Sequence, residues 1–160
     1  MQQRKLIIFF IVFTIIFGQA CFLMRSSHKK QQKLFPVELG NVWFGMSKQD
    51  FTESRPNAKL SSGTMEFRKV YQEYLEGSPI KKVIFYIDSE NTILYEMIIE
   101  YKDLETREKQ VKELIGNPNH KGSKWKFDSG EGFDIYAWVF QSKLVFAAKI
   151  EGTEWEDEDL

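Results

Sequence analysis

Cysteine and histidine are nearly absent: the 160 residues contain one cysteine, Cys21, and two histidines, His28 and His120. A lone thiol excludes an internal disulfide and a thiolate metal cluster, and the three residues together fall short of a Cys/His zinc set. No Gly-rich phosphate loop, His-Glu-x-x-His pair or Gly-x-Ser-x-Gly elbow occurs, so the commonest catalytic signatures are missing. We therefore expect no catalytic residue, no metal and no cofactor. His120 sits in Asn117-Pro-Asn-His-Lys-Gly122, which reads as a solvated loop position and not as a general base. Excess charge of one sign is lacking as well, the net value being −1. Residues 34–150 hold 16 basic and 17 acidic side chains, which leaves no field to draw nucleic acid.

What is present is charge at the ends. Residues 1–33 carry six bases and no acid, and residues 151–160 carry six acids and no base. Between Arg4-Lys5 and Arg25 runs an uncharged apolar stretch, residues 6–24, broken only by Thr14 and Gln19. Its nineteen residues rise about 28 Å as a helix, close to the ~30 Å of a bilayer's hydrocarbon core. It fits a retained transmembrane anchor and equally a signal peptide, with small residues Gly18 and Ala20 before Cys21. Gly18-Gln19-Ala20-Cys21 resembles a bacterial lipobox, which implies lipidation at Cys21. Each reading sends the rest of the chain to the membrane or envelope. The expected organisation is a signal peptide or transmembrane anchor at 1–24 and a basic polar tether at 25–36. A globular domain at 37–151 and an acidic disordered tail at 152–160 complete it, the tail repelling itself.

Within the domain, Ser47 with Asp50 three residues on reads as a helix N-cap, and Pro56 as the stop. Strands are expected at 65–74, 80–87 and 92–101, with Ile93, Tyr95, Met97, Ile99 and Tyr101 on one face of the last. Asp103 caps a second helix at 104–115, striped by Leu104, Val111, Leu114 and Ile115 and ended by Gly116 and Pro118. Strands at 124–128, 133–140 and 144–151 follow. The order helix-βββ-helix-βββ implies an α+β fold with two helices packed on one face of an antiparallel sheet, preceded by an N-terminal hydrophobic helix.

Alternation on 133–140 puts Phe133, Ile135, Ala137 and Val139 on one face and Asp134, Tyr136, Trp138 and Phe140 on the other. Three large aromatics beside one acid suit a partner-binding surface, because Tyr and Trp dominate interface energetics. Trp43 and Phe44, in the segment 34–44, are candidates to cover that face or to join it. Trp43, Tyr136, Trp138 and Phe140 are the expected binding residues.

Gly45-Met46-Ser47 before the first helix, and Phe85-Tyr86-Ile87-Asp88 followed by Ile93-Leu94 in the hairpin, are similar to the SmpA/OmlA (BamE-type) family of small envelope lipoproteins. The doubled element order also looks like that of the beta-lactamase inhibitor proteins. Both resemblances imply a binding role without naming the partner. The expected function is a membrane-anchored, non-enzymatic protein-binding module of the bacterial cell envelope, acting as scaffold, assembly factor or inhibitor, with its domain outside the cytoplasm. The membrane, through residues 6–24 or a lipid on Cys21, and another envelope protein are its expected partners. The alternative is a small-ligand or lipid-binding envelope protein in which the aromatics line a cavity.

Overall fold

The computed structural model describes residues 28–160. The apolar run 6–24 and Cys21 lie outside the described residues, among which no helix is long and apolar enough to cross a membrane. The chain builds one antiparallel sheet from β1 (Lys59–Leu60), β2 (Arg68–Tyr74), β3 (Ile80–Asp88), β4 (Leu94–Tyr101), β5 (Trp125–Asp128), β6 (Asp134–Phe140) and β7 (Lys143–Ala148). Their spatial order is β1-β2-β3-β4-β7-β6-β5. Helices α1 (Lys48–Ser54) and α2 (Leu104–Ile115) accompany a helical run at residues 28–32 and a 3-10 turn at Val37–Leu39.

The expectation of two helices covering one face of a six-strand sheet is overturned: among the described residues there are seven strands, and the sheet dominates. Seven strands span about 29 Å, whereas α1 and α2 are only about 10 and 18 Å long, so the helices cannot cover a face. The irregular N-terminal segment does most of that work. Phe35, Leu39, Val42, Phe44 and Met46 are buried with Phe51 of α1 against Val83, Phe85 and Ile87 of β3, Met97 and Ile99 of β4, and Leu144 and Phe146 of β7. Phe35 meets Phe44 and Phe146 edge-on at 5.4 and 5.2 Å. From α2, Val111 is buried and Leu114 and Ile115 pack against the same core, but Leu104 is exposed.

The caps form as their sequence requires. Ser47 Oγ accepts from the Asp50 N–H at 3.1 Å and Asp103 Oδ1 from the Thr106 N–H at 2.7 Å. Gly45 holds φ at +85°, a left-handed value that suits glycine, while its N–H donates to the Leu94 carbonyl. Lys48 N–H to Thr92 and Leu94 N–H to Met46 complete the seam. The Gly-Met-Ser turn and the far end of the β3–β4 hairpin, separated in sequence, thus lie side by side.

Residues 28–32, placed by sequence in the tether, are helical and join the domain. Gln31 is fully buried and its Oε1 accepts from the Phe44 N–H at 2.8 Å. Lys30 pairs with Asp128 at 2.7 Å and His28 with Glu131 at 3.3 Å. A stretch without apolar side chains can still be fixed where its polar atoms satisfy buried backbone groups.

Candidate functional site

The face of the sheet turned away from this core carries the candidate site. Strand pairing fixes its rows. Gln72, Ile84, Ile98, Val145 and Trp138 stand opposite one another across β2, β3, β4, β7 and β6. On one side of that row lie Tyr74, Lys82, Glu100, Lys143 and Phe140, and on the other Val70, Tyr86, Glu96, Ala147 and Tyr136. An apolar strip therefore crosses four strands between a charged row ended by aromatics and a second, mixed row. Tyr74 and Phe140 are exposed at 66% and 58%, Ile84, Ile98 and Trp138 are half-buried, and Val145 is buried.

The mixed row is where residues 151–160 sit. Expected to be a disordered tail, this segment instead lies against the sheet. Trp155 packs edge-on to Trp138, ring centroids 5.7 Å apart, and its indole N–H donates to Glu96 Oε2 at 3.1 Å. Leu160 is buried against Tyr136 and Ala147. Glu154 takes two hydrogen bonds from Arg68 Nη1, at 2.9 and 3.2 Å, and one from the Tyr95 hydroxyl at 2.8 Å. Asp159 pairs with Lys121, Lys149 donates to the Glu158 carbonyl at 3.0 Å, and Asn91 Nδ2 donates to that of Gly152 at 3.1 Å. The self-repulsion of the acids is offset by bases that come from distant parts of the chain.

A β-bulge makes this possible. Register slips between Tyr86↔Glu96 and Ile87↔Leu94, leaving Tyr95 as the extra residue. Tyr95 was expected on the face of Met97 and Ile99. The bulge turns its hydroxyl to Glu154 beside Glu96, so two consecutive residues address the same segment.

Electrostatics follow burial. Beneath Trp155 and with Glu154 nearby, the Glu96 carboxyl is pushed up to about 7, chiefly by loss of hydration, although the indole hydrogen bond and Arg68 favour the anion. The Tyr95 hydroxyl is raised by burial and by its bond to Glu154. Desolvation lowers the Arg68 value, but Glu154 and Tyr95 together hold it above the ordinary one, and its guanidinium lies 4.7 Å over the Tyr86 ring.

Of the residues expected to bind a partner, Tyr136, Trp138 and Phe140 share this face, in three different states. Tyr136 is buried under Leu160, Trp138 is half-covered by Trp155, and Phe140 is open. Trp43 does not join them. It stacks on His28 at 4.2 Å and packs against the core on the opposite side of the sheet. The four aromatics therefore enclose no common cavity. At the β5–β6 end an open groove of about 460 Å³ is lined by Asp128, Gly132, Phe133, Asp134, Tyr136 and Lys149. His120 Nε2 lies 3.1 Å from the main-chain oxygen of Leu160 and its ring is 5.5 Å from Tyr136, which places it against the acidic segment.

Sequence reasoning missed Ile84, Ile98, Val145, Arg68 and Glu96. The nearly continuous apolar run 80–87 was the available signal, since a strand apolar on both faces has something to meet on each. Comparison with models of known protein families, with curated proteins and with solved structures found no match for this chain.

Proposed function

We propose that this chain is a membrane-anchored, non-enzymatic protein-binding module of the bacterial cell envelope that docks its partner on the outer face of the sheet. The observation that carries this reading is the row Ile84–Ile98–Val145–Trp138, an apolar strip whose Ile84 and Ile98 stay partly exposed and whose flanking row ends in exposed Tyr74 and Phe140. Exposed apolar strips with polar borders are characteristic of protein interaction sites. The sequence carries one cysteine, two dispersed histidines and none of the commonest catalytic signatures. The apolar run 6–24 supports membrane attachment.

The test is a photocrosslinking side chain placed at position 98, with a matched one at Leu104 on the exposed turn of α2, in native membranes. A defined protein crosslinked from 98 and not from 104, and lost on Ile84→Lys, is the expected result. Equal labelling from both positions would refute docking on this face. Intact mass decides the mode of attachment. A wild-type chain shortened by about twenty residues and acylated, with Cys21→Ser keeping precursor mass, means a lipid; an unmodified full-length mass means a retained helix.

A further inference from the structure

We propose that residues 151–160 are a stand-in ligand, and that the part of the outer face they occupy is a docking site for an acidic, tryptophan-bearing peptide segment of a partner protein. This deepens the binding role proposed above and rests on it.

The argument starts from how the segment is held. It adds no strand to the sheet. Its own backbone bonds are short-range, from Thr153 to Ile150, Glu156 to Thr153 and Glu158 to Trp155. The hydrogen bonds that tie it to the body run through body side chains, among them Arg68, Asn91, Tyr95, Glu96, Lys121 and Lys149. Arg68 and Tyr95 meet the Glu154 side chain, Glu96 the Trp155 indole and Lys121 the Asp159 carboxylate. Asn91, Lys121 and Lys149 also hold main-chain carbonyls, so the site reads acidic and indole side chains on a turned backbone. It offers an apolar seat of Tyr136, Ala147 and Trp138, an acceptor for an indole N–H at Glu96, and cations on two sides. An acidic peptide with one Trp and one further apolar residue matches every element of it.

Part of the segment's hold on the body is weak. Asp159 is 97% exposed and its partner Lys121 is 40% exposed, so this pair contributes little and is screened by salt. Docking depends on Gly152, whose φ of +77° is a value other residues rarely adopt. A Cβ there would stand 2.6 Å from Asn91 Nδ2. Burying Glu96 beneath Trp155 carries a desolvation cost that undocking relieves. A tethered segment of this length competes at an effective concentration on the order of millimolar, so a partner peptide binds measurably better once the segment is loosened.

The experiment uses the full-length chain in detergent micelles and a fluorescent synthetic peptide of residues 152–160, titrated by anisotropy. Gly152→Val and, independently, Trp155→Ala are expected to bind it about tenfold or more tightly than wild type. Adding Arg68→Glu to either is expected to abolish that gain, as is replacing Trp by Ala in the peptide. Equal affinity of wild type and both loosened variants, or indifference to Arg68→Glu, would overturn the proposal. A concentration-dependent dimer of wild type that vanishes in Trp155→Ala would assign the site to a second copy's segment, and would overturn it too. The crosslink from position 98 is read on the wild-type chain with its segment docked, so a negative peptide result leaves the broader binding role standing and the two failures are told apart.

Discussion

The buried pair between Arg55, just past α1, and Glu73, on β2, offers the sharpest test of how the N-terminal layer is fixed to the sheet. Their side chains are 10% and 7% exposed, and Arg55 reaches Glu73 Oε2 through Nε at 2.7 Å and Nη2 at 2.6 Å. The remaining nitrogen, Nη1, donates to the carbonyls of Glu38 and Leu39 at 3.0 and 3.2 Å. One guanidinium thus ties α1, the 3-10 turn and β2 together. Arg55→Met keeps most of the volume but leaves a buried carboxylate and two carbonyls without their donor. Breaking a buried pair in this way costs about 3–5 kcal/mol, a large share of the roughly 5–15 kcal/mol that holds a domain folded. For a domain of this size that lowers the melting temperature by roughly 10–20 °C. The double variant Arg55→Met/Glu73→Leu removes the orphaned charge and is expected to recover more than half of the loss, since replacing both partners is often close to neutral. Thermal melts of the three chains by circular dichroism decide it. A drop below about 1 kcal/mol in Arg55→Met, the level of an exposed pair, or a double variant no better than the single one, would refute the reasoning.

Glu96 gives stability a pH dependence of definite sign. Its carboxyl rises from an ordinary 4.5 to about 7, with Arg68, Tyr86, Tyr95, Glu154 and Trp155 as the ionisable or polar groups around it. Between those values the folded chain keeps a proton that the unfolded chain releases, so this group's contribution falls as pH rises through the window. Glu96→Gln is therefore expected to match wild type near pH 4.5 and to melt higher at pH 8, and a gap that shrinks toward pH 8 would contradict it. Gln31→Ala removes the acceptor of the buried Phe44 N–H and is expected to cost about 1–3 kcal/mol, read from denaturant melts. Trp138→Ala is expected to cost less than the roughly 3–5 kcal/mol of a fully buried Trp, while weakening partner capture by about 2 kcal/mol or more; a melt that collapses would return Trp138 to a purely structural role.

Features with a short-range physical cause were legible in the sequence. The caps at Ser47 and Asp103 need only a side-chain oxygen and an N–H three residues on, and both form. Alternation placed Ile135, Ala137 and Val139 opposite Tyr136, Trp138 and Phe140, because a strand's period of two is a property of its backbone. The illegible features depend on partners far along the chain. Lys59–Leu60 carries no pattern, and only pairing with Gln72 and Tyr71 makes it a strand. Phe35, Leu39, Val42 and Met46 have helical spacing while Val42, Phe44 and Met46 alternate, and Pro36, Gly40 and Gly45 interrupt either pattern, so no single period marks them as the layer that covers the core. Tyr95 follows the alternation and is moved out of register by a bulge that pairing with β3 creates.

The acidic segment shows most clearly why local reasoning stopped short. Taken alone, six carboxylates in ten residues repel, and disorder is the sound expectation. Arg68, Lys121 and Lys149 are scattered over some eighty positions, and their convergence on one face follows only from the order β2-β3-β4-β7-β6. That convergence has a functional consequence. With the segment docked, the mixed row presents outward the carboxylates of Asp157 and Asp159 among others; with the segment lifted, the same surface presents Arg68, Lys121 and Lys149 around an aromatic seat. One face thus carries opposite sign in its two states. Electrostatic complementarity governs encounter rate and discrimination between partners more than affinity, so the docked state repels the acidic peptide that the lifted state attracts. Raising salt screens both effects, and the difference in association rate between wild type and Gly152→Val should narrow accordingly.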